Sequence, residues 1–239
     1  MRFATRISVF LFALAATGLA HGSPVRDLQH ELGIDDSKWT VAKETESEID
    51  WTTPGGEAVT LMVHQRPSEM TDPKDQKALQ AVFRDEARDE KGGLVEVQTF
   101  VSSGVTCGLV TMKFPMKVFD PKASGYGYQI NAIIPMKNAS YVLQVAAGES
   151  EPTGTREAMV TVADMEQRKI KDLAQEAAGF RRDPYDSKYD ADALYMISDD
   201  RKWDKAFPDH PLTRARRLID TLIKGWKLSA KTRQDALFK

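Results

Sequence analysis

The stretch from Tyr126 to Gly148 limits the possible folds of this chain more than any other. Tyr128, Ile130, Ala132 and Ile134 alternate with Gln129 and Asn131, and after a break Tyr141, Leu143 and Val145 alternate with Gln144. A period of two with a turn at its centre is the pattern of a β-hairpin with one apolar face. A loop at Lys137 and Asn138 sets Ile134 opposite Tyr141, Ala132 opposite Leu143 and Ile130 opposite Val145, so one register collects the large apolar side chains on one face. Asn138 also suits the positive φ that a short hairpin loop often requires. Two strands are marginal alone, so the remaining chain must supply more strands and helices to cover that face.

The segments before the hairpin fit that demand. Ser23-Pro24 starts a short helix in which Leu28 and Leu32 share a face and Gly33 ends it. Trp39 and Val41, then Ile49 and Trp51, then Val59, Leu61 and Val63 after the Thr53-Pro54-Gly55-Gly56 turn read as an antiparallel meander. Asp72-Pro73 predicts the start of a helix with Leu79, Val82 and Phe83 as its buried stripe, stopped at Gly92 or Gly93. Leu94 to Val101 and Val105 to Phe114 form a second hairpin around Ser102-Ser103-Gly104. After the opening hairpin, Thr155 caps a helix expected to reach about Ala178, with Gly179 past its end; Met159 to Val162 also suits a short strand.

Residues 1–20 read as an export leader: Arg2 and Arg6 precede or open an apolar run from Ile7 to Ala16, and Gly18 and Ala20 have the small-residue spacing of a cleavage site. Cleavage after Ala20, or before Ser23, is expected. The apolar run is shorter than the roughly 20 residues that span a bilayer, and no later stretch is long and apolar enough, so the protein is not expected to be integral to a membrane. Cys107 is the single cysteine, so no internal disulfide can form and the fold must hold by its core. It also leaves no cysteine after the apolar run for a lipid anchor. A formal net charge of -2 gives no basic excess for non-specific nucleic-acid binding. Asn138-Ala139-Ser140 would accept a glycan only in a eukaryotic secretory path.

Composition changes at Phe180. Aspartates from Asp183 to Asp209 are interleaved with Tyr185, Tyr189, Tyr195 and Trp203; beyond His210-Pro211 a basic helix carries Arg214, Arg216 and Arg217 around a stripe of Leu212, Leu218, Ile219, Leu222 and Trp226. The fold class is therefore α+β: an antiparallel β-sheet covered by helices, with a helical C-terminal appendage. The chain divides into a leader at 1–20, a sheet domain at 21–179 and an aromatic, acidic loop with a helix at 180–239.

The order of meander, helix, two hairpins and helix, together with Trp51-Thr52-Thr53-Pro54-Gly55-Gly56 and the strand Tyr141-Val142-Leu143-Gln144-Val145, resembles the exported α+β domains of the PsbP and Mog1-like superfamily over about residues 39–178. The resemblance implies a non-catalytic partner of a larger assembly. Residues 180–239 depart from the family pattern, and no functional residue carries over.

Candidate chemistry has plain competitors. Cys107 with His64, His30 or His210 would supply a thiol nucleophile, but between Val105 and Leu109 it reads as a small buried apolar residue. No Gly-x-Ser-x-Gly elbow, phosphate loop or His-Glu-x-x-His helix is present. Asp183, Asp186, Asp190 and Asp192 would offer oxygen to calcium, yet lack the glycine and closing glutamate of an EF-hand loop and form good turns without metal. No cofactor, catalytic set or metal site is expected. Tyr185, Tyr189, Tyr195, Trp203, Arg216 and Arg217 are the candidate interaction surface, against the plainer reading that the rings anchor an irregular segment and the arginines meet its aspartates. The expectation is an exported, periplasmic or secreted, non-enzymatic protein that binds an envelope protein partner, as an inhibitor, immunity factor or accessory. The alternatives are an envelope hydrolase using Cys107 or an aspartate cluster, and a calcium-stabilised binding module.

Overall fold

The computed structural model describes residues 23–150, 152–168 and 195–239. The leader at 1–20, Tyr185, Tyr189 and the aspartates from Asp183 to Asp192 lie outside the described residues, as does the expected continuation of the Thr155 helix to Ala178.

The described strands are β1 (Thr40–Glu44), β2 (Glu48–Thr52), β3 (Ala58–His64), β4 (Gly93–Ser102), β5 (Val105–Pro115), β6 (Tyr126–Pro135) and β7 (Ser140–Gly148). They form one antiparallel sheet in the order β1-β2-β3-β7-β6-β5-β4. The described helices are α1 (Pro24–Leu32), α2 (Gln76–Asp89), α3 (Thr155–Arg168), α4 (Pro211–Lys224) and α5 (Ala230–Asp235).

The central hairpin has the register its alternation dictates: Ile130 faces Val145, Ala132 faces Leu143 and Ile134 faces Tyr141. Its loop at Lys137 and Asn138 differs from expectation, because Asn138 does not take a positive φ. Instead the turn leans on the C-terminus: Met136 bridges Ala236, and the Lys137 N–H donates to the Asp235 carbonyl at 3.0 Å. The β4–β5 hairpin uses the positive-φ solution, with Ser103 at 51° and Gly104 at 83°, matching the right-handed twist of its strands.

Helix α2 begins later than Asp72-Pro73 suggests. Asp72 closes a local turn through Lys74 N–H at 2.9 Å, and Asp75 caps the helix by accepting from Ala78 N–H at 3.0 Å. Two aspartates at a spacing of three compete for the cap, and the one after the proline turn wins. The buried stripe is Leu79, Phe83 and Ala87, with Val82 half-buried. Gly92 follows the helix where a Cβ would press on the Phe114 ring and the Lys113 carbonyl.

Opposite phases of the strands face different layers. Trp51, Leu61, Ile130 and Leu143 pack with Leu28 and Leu32 of α1 and with Ala215 and Ile219 of α4. Val110, Met112 and Phe114 pack against α2, which lies over β4 and β5. The C-terminal helix thus shares the principal core with the sheet, and Trp226, Leu228 and Ala236 after it are buried there too.

On the α2 side, beyond that helix, Asp50, Thr60, Gln144 and Asn131 make one lateral row across β2, β3, β7 and β6. Burial pushes the Asp50 carboxyl above its ordinary value, against a hydrogen bond from Thr60. An ionised Asp50 therefore costs stability above its folded pKa, and the cost disappears below its unfolded value.

Asp50→Asn is expected to raise Tm at neutral pH, with the gain shrinking as pH falls toward about 3.9; a melting series across pH checks this. Leu143→Ala is expected to cost about 2–5 kcal/mol, whereas Val101→Ser, on a side chain 70% exposed, should cost under about 0.5 kcal/mol, both read by urea unfolding.

Candidate buried polar centre and its surface loop

Strand β5 carries Lys113 in the inward phase of Cys107 and Leu109, where an apolar side chain would be expected. Lys113 is fully buried. Its Nζ donates to both carboxylate oxygens of the equally buried Asp199, each at 3.1 Å, and lies 3.5 Å from Glu157 Oε1. The Tyr126 ring flanks it, with Nζ 4.2 Å from the ring centroid. Asp199 ends a short 3-10 turn, Ile197–Asp199, and also accepts from the Met196 N–H at 2.9 Å.

Arg156, in the first turn of α3, extends the centre. Its buried guanidinium donates to the Ser198 carbonyl at 2.6 Å, Thr213 Oγ1 at 2.8 Å and Asp204 Oδ1 at 2.9 Å. The Phe207 ring lies 5.7 Å from it. Arg216 of α4 donates to Asp204 Oδ1 at 3.1 Å and to the Asp199 carbonyl at 2.9 Å, with Glu96 of β4 at 3.5 Å. Burial pulls the Arg216 pKa down, and Asp204 and Glu96 oppose that pull. Arg201 joins Glu96 at 2.9 Å to Asp220 at 3.3 Å. The residues from Asp200 to His210 are thereby tied to the sheet through fixed donors and acceptors.

A second corner lies beside the first. His210 caps α4: its Nδ1 accepts from the Leu212 N–H at 3.3 Å, which in the neutral ring leaves the proton on Nε2, 3.3 Å from Glu149 Oε1. Glu149 Oε2 accepts from the Tyr126 N–H at 2.8 Å. Burial raises the Glu149 pKa, but the hydrogen bonds from His210 and Tyr126 outweigh it and leave the carboxyl below its ordinary value. The Tyr128 hydroxyl donates to Glu157 Oε1 at 3.3 Å, and its ring meets His210 edge-on. Burial, then Asp199, Glu157 and Glu149, push the Tyr128 phenol well above its ordinary value. One ligand atom each from Glu149, Glu157 and His210 lies within 4.8 Å of the others.

The residues singled out in the sequence fall in different places. Arg216 is buried and meets Asp204, as the plainer reading of the arginines has it, and so is no surface contact; Arg217 is exposed. Tyr195 and Trp203 are half-buried, and Lys202 Nζ lies 5.4 Å from the Trp203 ring centroid. Cys107 is fully buried, its thiol donates toward the Val105 carbonyl at 3.7 Å, and burial pushes its pKa up to about 12. His64 ends β3, where burial and Arg66 lower its pKa; His30 lies in α1 and His210 at the α4 cap. Sequence reasoning missed Lys113, Glu149, Arg156 and Glu157. Lys113 carried a signal, a cation in the inward phase of an apolar strand, whereas Arg156 carried none.

No family model matches the chain, and no curated protein matches it in sequence. Among solved structures the chain is similar to the Ran-binding protein Mog1p of Saccharomyces cerevisiae, with 10% identity and a TM-score of 0.37, over 51% of this chain and 73% of that one. No role of that protein is carried over.

Removing one member of a buried ion pair leaves the other charge without its partner. Asp199→Asn keeps an oxygen for the Met196 N–H but leaves Lys113 to Glu157, and should cost about 3–5 kcal/mol in urea unfolding. Arg217→Ala at the exposed position should change stability by less than about 0.5 kcal/mol.

Proposed function

We propose that this chain is an exported, non-enzymatic accessory protein of the bacterial envelope that binds a protein partner through the loop at residues 200–210 and the adjoining outer face of α4. The observation that carries this reading is the way the buried centre holds that loop. Residues 200–210 include the 3-10 turn Arg201–Trp203 but no strand or α-helix. Arg156, Arg216 and Asp204 nevertheless fix them with charge-assisted hydrogen bonds from beneath. Multiple buried charge-assisted hydrogen bonds restrict the backbone they hold, and loops held on a rigid scaffold are where recognition concentrates. The held loop presents exposed Lys202 and Lys205 beside the half-buried Trp203, with exposed Arg217 on the next helix. Tryptophan and arginine are the residue types most enriched at the centres of protein interfaces.

The leader pattern at residues 1–20 supports export. The thiol-hydrolase alternative meets a physical obstacle, because a nucleophilic cysteine needs thiolate at working pH and access to substrate. Cys107 has neither, being fully buried with its pKa at about 12.

Photocrosslinkable residues placed at Lys202, Lys205 and Arg217 in the native host, with Lys77 on α2 as the control, test the reading. A discrete protein adduct from the first three positions and none from Lys77 is the expected result. Absence of any adduct from all three, at native expression and across growth conditions, would overturn it.

A further inference from the structure

We propose that Glu149, Glu157 and His210 form a binding site for a single divalent transition-metal cation of the zinc type. The three come from the end of β7, the first turns of α3 and the cap of α4, and one ligand atom from each lies within 4.8 Å of the others. Two of them are already oriented by a neighbour: Glu149 by the Tyr126 N–H and Glu157 by the Tyr128 hydroxyl. Outer partners of this kind fix ligand geometry in metal sites.

Two further observations point to a cation. Glu157 Oε2 is buried and has no hydrogen-bond partner among the described residues. The surrounding charges are also unbalanced. Lys113 lies nearer Asp199, at 3.1 Å, than Glu157, at 3.5 Å, while Arg156 and Arg216 are engaged by Asp204. Two carboxylates, Glu149 and Glu157, thus face one imidazole across a short gap, an excess of acidic over basic side chains. A bound divalent cation would reverse that excess.

The donor set selects the kind of metal. One imidazole nitrogen with two carboxylates, plus a solvent water at a fourth position, is a tetrahedral zinc arrangement. Calcium takes oxygen donors in larger number and has no use for the imidazole. Binding moves the ring proton from Nε2 to Nδ1, and the Nε2 lone pair then meets the metal. The Nδ1–H faces the Leu212 N–H, so the 3.3 Å cap is given up. Pro211, at the first helical position, keeps its φ without that bond and holds the start of α4.

The site shares His210 with the end of the loop proposed to bind a partner but does not depend on that reading, and it is tested on tag-free, chelator-treated full-length protein without any partner. Zinc chloride alone is expected to raise Tm and to bind one-to-one in calorimetry, with no response to calcium chloride at the same concentrations. His210→Asn retains a good helix cap and Glu157→Gln retains an acceptor for Tyr128, so both are expected to fold. Each should weaken zinc binding at least about 100-fold, since even outer partners are worth about 10–100-fold. The proposal is overturned by wild-type protein that binds no zinc saturably, by an equal response to calcium, or by zinc affinity unchanged in both variants.

Discussion

A fully buried lysine is the constraint from which the rest of the architecture follows. Lys113 stands on the inner face of the sheet at a position its strand neighbours would fill with an aliphatic side chain. A charge there is tolerable only with a carboxylate at hydrogen-bonding distance and few protons left unmatched. Asp199 supplies that carboxylate from a segment 86 residues later in the chain. The sheet therefore cannot reach its stable form without residues 195–204 folded against it, and those residues set the position at which α4 begins. Arg156 and Arg216 continue the arrangement outward, each donating to a backbone carbonyl and to Asp204.

This dependence changes how the C-terminal part of the chain is understood. Its helix shares the principal apolar core through Ala215 and Ile219, and its final residues bridge the loop of the central hairpin. Apolar burial drives that docking, and polar pairing chooses its geometry. The loop from Asp200 to His210 is held as a by-product of both, whereas the thiol of Cys107, sealed in the core, lacks the access and the thiolate that nucleophilic chemistry needs.

Much of the fold was legible in the sequence because its cause is local. Period-two alternation fixed the register of β6 and β7, and the Ser23-Pro24 and Gly33 punctuation bounded α1 within a residue. Misreadings came where two local signals competed, as at Asp72 and Asp75, or where a distant segment altered a turn, as Asp235 and Ala236 do at Lys137. The polar centre was largely illegible for a related reason. Its members are 48 residues apart for Arg156 and Asp204 and 61 for Glu149 and His210, so no spacing rule joins them. Lys113 alone broke the pattern of its own strand. Arg216 was legible as one of two alternatives: an arginine on an amphipathic helix ordinarily faces water, but here it takes the other course and meets Asp204 of the preceding segment.

Native-state hydrogen exchange tests most directly whether sheet and C-terminal helix are one cooperative unit held by the buried centre. The amides of Ala215 and Ile219 in α4 are predicted to open with the same free energy as those of Leu143 and Val145 in β7, equal to that of global unfolding. Helix amides that exchange through a separate, lower-energy opening while the strand amides stay protected would contradict the account.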